Sequence, residues 1–254
     1  MHSLFSSRDT GPEPAVEMSP TVFPKIDGAE ISAASVGERV AGDFYDSFRV
    51  SPERILFGLL DVAGRREDNR GILAAAQSIF RKLGSELFSR PDINESDAMT
   101  ELGLRLNRGL IEASKGVHSC PAFVACYHEQ FGTLCYTNAG HTPGLLRNGS
   151  EVSELASTGL PLGLFSHATS DAPTIGIEKG AALLLVSRGV IECKRRQHDC
   201  DDEYGLDRVK ELLRTDKSQG VQALVASILD GVAEFSLGSA NHDDKTALAF
   251  VRAI

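Results

Sequence analysis

The chain has 254 residues, enough for one large domain or two small ones with a sizeable buried core. Its 42% hydrophobic and 24% charged content is ordinary for a soluble globular protein, and no apolar run approaches the roughly 20 residues of a membrane span. The net charge of −9 argues against non-specific binding to nucleic acid or to an anionic membrane, both polyanions, and suits a cation requirement.

In chain order, the stretch 1–24 is polar, carries Pro12, Pro14, Pro20 and Pro24, and reads as a mobile arm or linker remnant. Ala29–Ser35 is a short strand. Two extended apolar stretches follow, joined by the turn signal Ser51-Pro52-Glu53-Arg54, which predicts an antiparallel hairpin. Asp43 and Asp61 sit at or near the ends of its strands, while Asp46 faces elsewhere because strand side chains alternate. A lone carboxylate ending the buried run Ile55–Leu60 suggests a metal or a reacting group, and a cap at the strand end is the plainer alternative. Ala63–Asp68 reads as a polar loop.

Helical spacing of apolar residues predicts helices over Gly71–Leu87 and Ser96–Ala113, the second with Ser96 as its N-cap. Strands are expected at Ala122–Tyr127 and Thr133–Thr137 around a turn at His128–Gly132. A further hairpin, Gly144–Arg147 with Ser150–Leu155, turns at Asn148-Gly149. Ala181–Val186 is a fully apolar strand. Helices over Leu206–Leu213 and Val221–Phe235 precede a final strand, Thr246–Arg252. Strands and helices come in blocks, so the class is α+β with a largely antiparallel sheet, and there is no internal repeat.

Seven short motifs occur in order: GDFYD (Gly42–Asp46), DVAG (Asp61–Gly64), NAGH (Asn138–His141), GLPLG (Gly159–Gly163), RGVIE (Arg188–Glu192), YGLDRV (Tyr204–Val209) and DDKT (Asp243–Thr246). On these the chain resembles the metal-dependent serine/threonine protein phosphatases of the type 2C superfamily, and within it the bacterial SpoIIE/RsbU-type regulatory branch. The resemblance covers about residues 27–254 as one phosphatase domain and leaves 1–26 as the flexible arm. It implies a four-layer α-β-β-α sandwich of two antiparallel sheets flanked by helices, with an Mn²⁺ or Mg²⁺ site of one or two ions in a cleft. Carried over by motif, Asp43 and Asp61 are metal ligands with Asp61 bridging, the Val62 backbone carbonyl is a further ligand, and Asp243 closes the shell of the other ion, with Asp244 adjacent. Hard divalent cations take oxygen ligands, and two of them can bind phosphoryl oxygens and acidify a water that attacks phosphorus in line.

One position departs from the pattern. Where the branch has Thr-Asp-Gly, this chain has Ser187-Arg188-Gly189, and an arginine cannot ligate a cation. Exchanging a negative ligand for a positive group swings the local charge by two; one unit pair about 4 Å apart is worth roughly 4 kcal/mol at an effective dielectric of about 20. The ion on the Asp243 side is therefore expected to be weakened, while Asp43, Asp61 and the Val62 carbonyl keep theirs. Three readings of Arg188 stay open. It grips phosphate in an active enzyme, it marks a pseudophosphatase that binds a phosphorylated partner without cleaving it, or it pairs with Asp243 or Asp244 and fills the vacated space. A second departure, Arg65-Arg66 after DVAG, puts two cations near the cleft mouth.

Other candidates are weaker. His242, beside Asp243, is placed for proton transfer to the leaving group or is a solvated loop residue. His141 is expected to pack under the cleft. Asp199–Glu203 reads as a solvated acidic loop and Lys194-Arg195-Arg196 as surface. The five cysteines, Cys120, Cys126, Cys135, Cys193 and Cys200, form no CxxC pair, and no signal-peptide pattern opens the chain, so a cytoplasmic setting is the simplest reading. By resemblance the partner is a phosphorylated regulator such as an anti-sigma-factor antagonist, with neither nucleic acid nor membrane involved, and a homodimer is compatible with the branch. Two functions compete on these grounds: a metal-dependent phosphoprotein phosphatase, and a degenerate fold that binds such a regulator without hydrolysis.

Overall fold

The computed structural model describes residues 20–37, 42–63, 66–114, 118–197, 200–218, 220–236 and 243–254, with residues 66–70, 196, 197, 200 and 201 described by backbone alone. The chain opens with β1 (Ala29–Val36), β2 (Asp43–Ser51), β3 (Arg54–Asp61), α1 (Arg66–Phe88) and α2 (Glu95–Ser114). It continues through β4 (Ala122–His128), β5 (Thr133–Ala139), β6 (Gly144–Asn148), β7 (Glu151–Leu155) and β8 (Thr174–Gly176). The last part holds β9 (Ala182–Val186), α3 (Arg188–Ile191), β10 (Lys194–Gln197), β11 (Cys200–Glu203), α4 (Gly205–Thr215), α5 (Val221–Phe235) and β12 (Lys245–Arg252).

Two five-stranded antiparallel sheets form, in the orders β1-β12-β9-β6-β7 and β2-β3-β4-β5-β8, with β10-β11 as a separate ribbon. The period of two along each strand explains why they stack. In β3, Ile55, Phe57 and Leu59 join Phe123, Ala125 and Tyr127 of β4, and Leu183, Leu185, Leu248 and Phe250 of the other sheet, in one core between the sheets. The alternate residues Leu56, Leu60, Val124 and Cys126 face the other way, into a core with Phe80 and Leu83 of α1 and Met99, Leu102 and Leu106 of α2. Ala182, Leu184, Val186, Ala247 and Ala249 likewise meet α4 and α5 through Val209, Leu213, Leu224 and Ile228. The order of layers is thus helix, sheet, sheet, helix. The expected α+β sandwich of two antiparallel sheets flanked by helices is the fold.

Several local expectations are revised. Residues 20–26, placed in the flexible arm, lie against the body: Phe23 stacks on Tyr45 with ring centroids 6.2 Å apart, the Thr21 hydroxyl donates to the Tyr45 carbonyl, and Ile26 is buried. Residues 1–19 lie outside the described residues. Helix α1 begins at Arg66, inside the stretch read as a loop. Asn94, not Ser96, caps α2: its Oδ1 accepts from the amides of Ser96 (3.1 Å) and Asp97 (3.3 Å). The Ser96 hydroxyl instead donates to the Ala172 carbonyl. The acidic run read as a loop is strand β11, paired to the basic β10 with Arg195 Nη2 2.9 Å from Asp202 and Lys194 3.4 Å from Glu203.

Asp46 is held on the other face of β2 by an ion pair to α1. It faces away from the cleft, as alternation requires, and its side chain is fully buried. Arg81 of α1 reaches it with Nε at 2.6 Å and Nη2 at 2.9 Å. Arg81→Ala would leave a buried carboxylate with only the Ser47 amide as donor. The expected loss is about 3 kcal/mol, the low end for breaking a buried pair because Arg81 itself is partly exposed, and roughly 10 °C in Tm by calorimetry.

Candidate metal centre

Pairing of β2 with β3 sets Asp43 directly opposite Asp61. Opposed residues of an antiparallel pair share a face, with Cβ atoms about 4.5–5.5 Å apart. The hairpin alone therefore brings two carboxylates together, on the face that packs against the second sheet. The close approach of chain to chain beneath them needs Gly42, since a Cβ there would collide with the Val62 carbonyl.

The second sheet supplies the opposite wall where β9 ends and β12 begins. The Ser187 amide donates to the Thr246 carbonyl (2.9 Å) and the Thr246 amide to Ser187 Oγ (3.0 Å). This clamp fixes Arg188 and Asp243 on adjacent segments, and Gly189 is required because a Cβ there would strike the Asp244 carbonyl. Between the walls lies an open cleft of about 220 Å³ lined by Asp43, Asp61, Val62, Arg188, Glu192 and Asp243, among others.

The charges are poorly balanced. The Asp43 carboxyl is held up at about 7, chiefly by burial and also by the neighbouring Asp61, against the opposing pull of the Thr246 and Ser187 hydroxyls. Its Oδ2 is buried with no hydrogen-bond partner. Burial also raises Asp61, opposed by the Arg188 guanidinium and reinforced by Asp243 and Glu192. Repulsion among buried carboxylates and an orphaned oxygen are what a cation would relieve. Among the described residues no three His, Cys, Asp or Glu side chains converge to enclose a metal ion. That still fits a hard divalent ion such as Mg²⁺, which keeps several waters and takes one or two protein carboxylates.

Arg188 does not pair with Asp243 or Asp244 among its described contacts. Its Nε stands 3.9 Å from Asp61 Oδ2 and 3.8 Å from Glu192 Oε2, beyond hydrogen-bond range, and its side chain is 57% exposed. Glu192 is a cleft residue that sequence reasoning left unassigned, although its i, i+4 spacing from Arg188 was a usable signal. His141 is buried and hydrogen-bonded through Nδ1 to Thr142. Burial pushes it down to about 4, so it is neutral at pH 7 and packs as expected. His242 and Arg65 lie outside the described residues, as does the side chain of Arg66.

The sequence model of the family described as Stage II sporulation protein E (SpoIIE) matches residues 51–253. The chain belongs to the SpoIIE family. Among its relatives is the phosphoserine phosphatase RsbU of Bacillus subtilis, 27% identical over 243 residues that cover 92% of this chain and 66% of RsbU. The SiaA-PP2C domain of Pseudomonas aeruginosa superposes with a TM-score of 0.70 or better, at 0.72, with 17% identity over 86% of this chain and 84% of that one. The RsbU and RsbW domains of Rv1364c from Mycobacterium tuberculosis give 0.70 with 21% identity over 89% of this chain and 62% of that chain. These structural likenesses establish a shared PP2C fold. This SpoIIE-family chain spans about two thirds of the length of RsbU and 39% of another relative, the protein IcfG of Synechocystis.

Proposed function

We propose that the chain is a metal-dependent phosphoserine/phosphothreonine protein phosphatase acting on a phosphorylated bacterial regulator, an anti-sigma-factor antagonist being the class suggested by the branch. The observation that carries this reading is the cross-strand Asp43–Asp61 pair with its buried, unpartnered Asp43 oxygen at the cleft. Asp43, Asp61 and the Val62 carbonyl would hold one Mn²⁺ or Mg²⁺, and Asp243 faces them from the other sheet. A bound divalent ion supplies positive charge to phosphoryl oxygens and acidifies water. Arg188, exposed and held by nothing closer than 3.8 Å among its charged neighbours, is free to close on a phosphate bidentately, a task guanidinium geometry suits. His242 is proposed to protonate the leaving serine oxygen. Cys120, Cys126 and Cys135 are free and buried, which suits the reducing cytoplasm proposed for it.

The second reading is a pseudophosphatase that binds such a regulator without hydrolysis. The approach of Arg188 to Asp61 favours it, because a permanent positive charge then stands where the motif of the branch has an aspartate. Turnover of an aryl phosphate with Mn²⁺ titrated separates the two. Phosphate release that rises and saturates with Mn²⁺ is expected; a silent protein that still binds a phosphoserine peptide would support the second reading.

A further inference from the structure

Arg188 and Glu192 enter the cleft from the two ends of one helical turn. Glu192 closes α3: its amide donates to the Arg188 carbonyl at 2.9 Å, so the two side chains stand four residues apart on a fixed backbone. Among the described residues that line the cleft, Arg188 is the only cation, against the carboxylates of Asp43, Asp61, Glu192, Asp243 and Asp244. Its Nε lies 3.9 Å from Asp61 Oδ2 and 3.8 Å from Glu192 Oε2. The guanidinium is thus shared between two carboxylates at nearly equal distance and hydrogen-bonded to neither.

The two carboxylates differ in their surroundings. Asp61 has a side chain 14% exposed, whereas that of Glu192 is 52% exposed and stands in the solvated half of the cleft. Burial, Asp243 and Glu192 all push Asp61 toward its neutral form, and Arg188 opposes them. Arg188 therefore does for Asp61 part of what a divalent cation would do. A cation seated on Asp61 takes that task over and repels the guanidinium, because like charges a few ångströms apart in a half-buried cleft are poorly screened. Arg188 must then leave Asp61, and Glu192 is the other carboxylate within 4 Å of it. Standing on the same turn, Glu192 receives the guanidinium by side-chain rotation alone.

We propose that Glu192 is a positioning residue that draws Arg188 off Asp61 and so lets a divalent cation bind there. This rests on the metal-dependent phosphatase reading above and deepens it by coupling occupancy of the Asp43–Asp61 site to the carboxylate that Arg188 faces. With Glu192 charged, Arg188 has a second anchor and gives up Asp61 readily. With a neutral residue in its place, Arg188 has Asp61 alone and competes with the ion for it.

The test is a double-mutant cycle on Mn²⁺ affinity, read by titration calorimetry at pH 7 with no substrate present. It compares the wild-type protein, Glu192→Gln, Arg188→Met and the double variant, methionine keeping an unbranched stem without the charge. Glu192→Gln is expected to weaken Mn²⁺ binding by about tenfold, and Arg188→Met to tighten it. On top of Arg188→Met, the Glu192 substitution should weaken binding by less than about threefold. Both side chains are more than half exposed, so the variants should melt with the wild-type protein. An equal loss in both backgrounds would overturn the proposal, since Glu192 would then act on the ion itself and not through Arg188. So would a Glu192→Gln protein that binds Mn²⁺ as tightly as the wild type, or an Arg188→Met protein that binds it no more tightly. Because no turnover is read, an intact cycle in a protein that fails to hydrolyse aryl phosphate would count against the phosphatase reading and leave the role of Glu192 standing. A wild-type protein that binds no Mn²⁺ would overturn both.

Discussion

Asp61→Asn is expected to abolish Mn²⁺-dependent phosphate release, by a factor on the order of 10³ or more in kcat, while leaving the fold intact. The substitution keeps the size and planarity of the side chain, and its register opposite Asp43 is fixed by backbone pairing that does not involve it. What disappears is the charge that would hold an ion and set the position of a phosphoryl group. Asp61 is also strained toward neutrality by its own burial, so the variant should melt no lower than wild type in the absence of metal. A variant that retains turnover within tenfold would remove the site from this cleft. Circular dichroism melting alongside the assay excludes unfolding as the cause of a loss.

The second large effect runs in the opposite direction. Asp43→Asn should stabilise the metal-free protein at neutral pH while removing its affinity for Mn²⁺. The Asp43 carboxyl, ordinarily near 3.8, is held at about 7 in the fold, chiefly by burial. Between those values the unfolded chain gives up the proton first, so the folded state binds more protons and stability falls as pH rises from about 4 to 7. Above pH 7 the full cost stands, on the order of 4 kcal/mol as an upper figure. Asparagine removes the ionisation and with it that slope. Denaturant titrations of the metal-free proteins at pH 5 and pH 8 should show wild type weakening between them and the variant doing so less. Identical slopes in both proteins would mean that Asp43 is not strained.

Much of this was readable in the chain because strand alternation is a local code. The pattern over Ile55–Leu60 and the turn at Ser51–Arg54 are enough to fix the hairpin, and the side-chain period of two then sends Asp43 and Asp61 one way and Asp46 the other. The substitution at Arg188 was visible too, but not its neighbour. Whether it meets Asp243 or Asp61 depends on how two sheets stack, which no single stretch encodes. The β10–β11 ribbon was missed for a related reason: each strand carries three like charges in a row, Lys194–Arg196 and Asp201–Glu203, and resembles a solvated loop until its opposite-sign partner is alongside. Asn107 was legible in principle, as a polar residue next to Leu106 on the buried stripe of α2, yet its partners lie 56 and 58 residues away. The cap of α2 was displaced by two positions, from Asn94 to Ser96, because both residue types cap equally well.

The proposed function requires that one cation site survive beside Arg188 and support hydrolysis. The most direct measurement counts Mn²⁺ bound per chain by calorimetry and assays aryl phosphate release in the same sample, for the wild-type protein and for Arg188→Asp. One ion with turnover is the predicted result for wild type, with a second ion gained in Arg188→Asp. A wild-type chain that binds no Mn²⁺ at millimolar concentration, while Arg188→Asp binds two and turns over, would contradict the claim and leave a binding protein one substitution away from an enzyme.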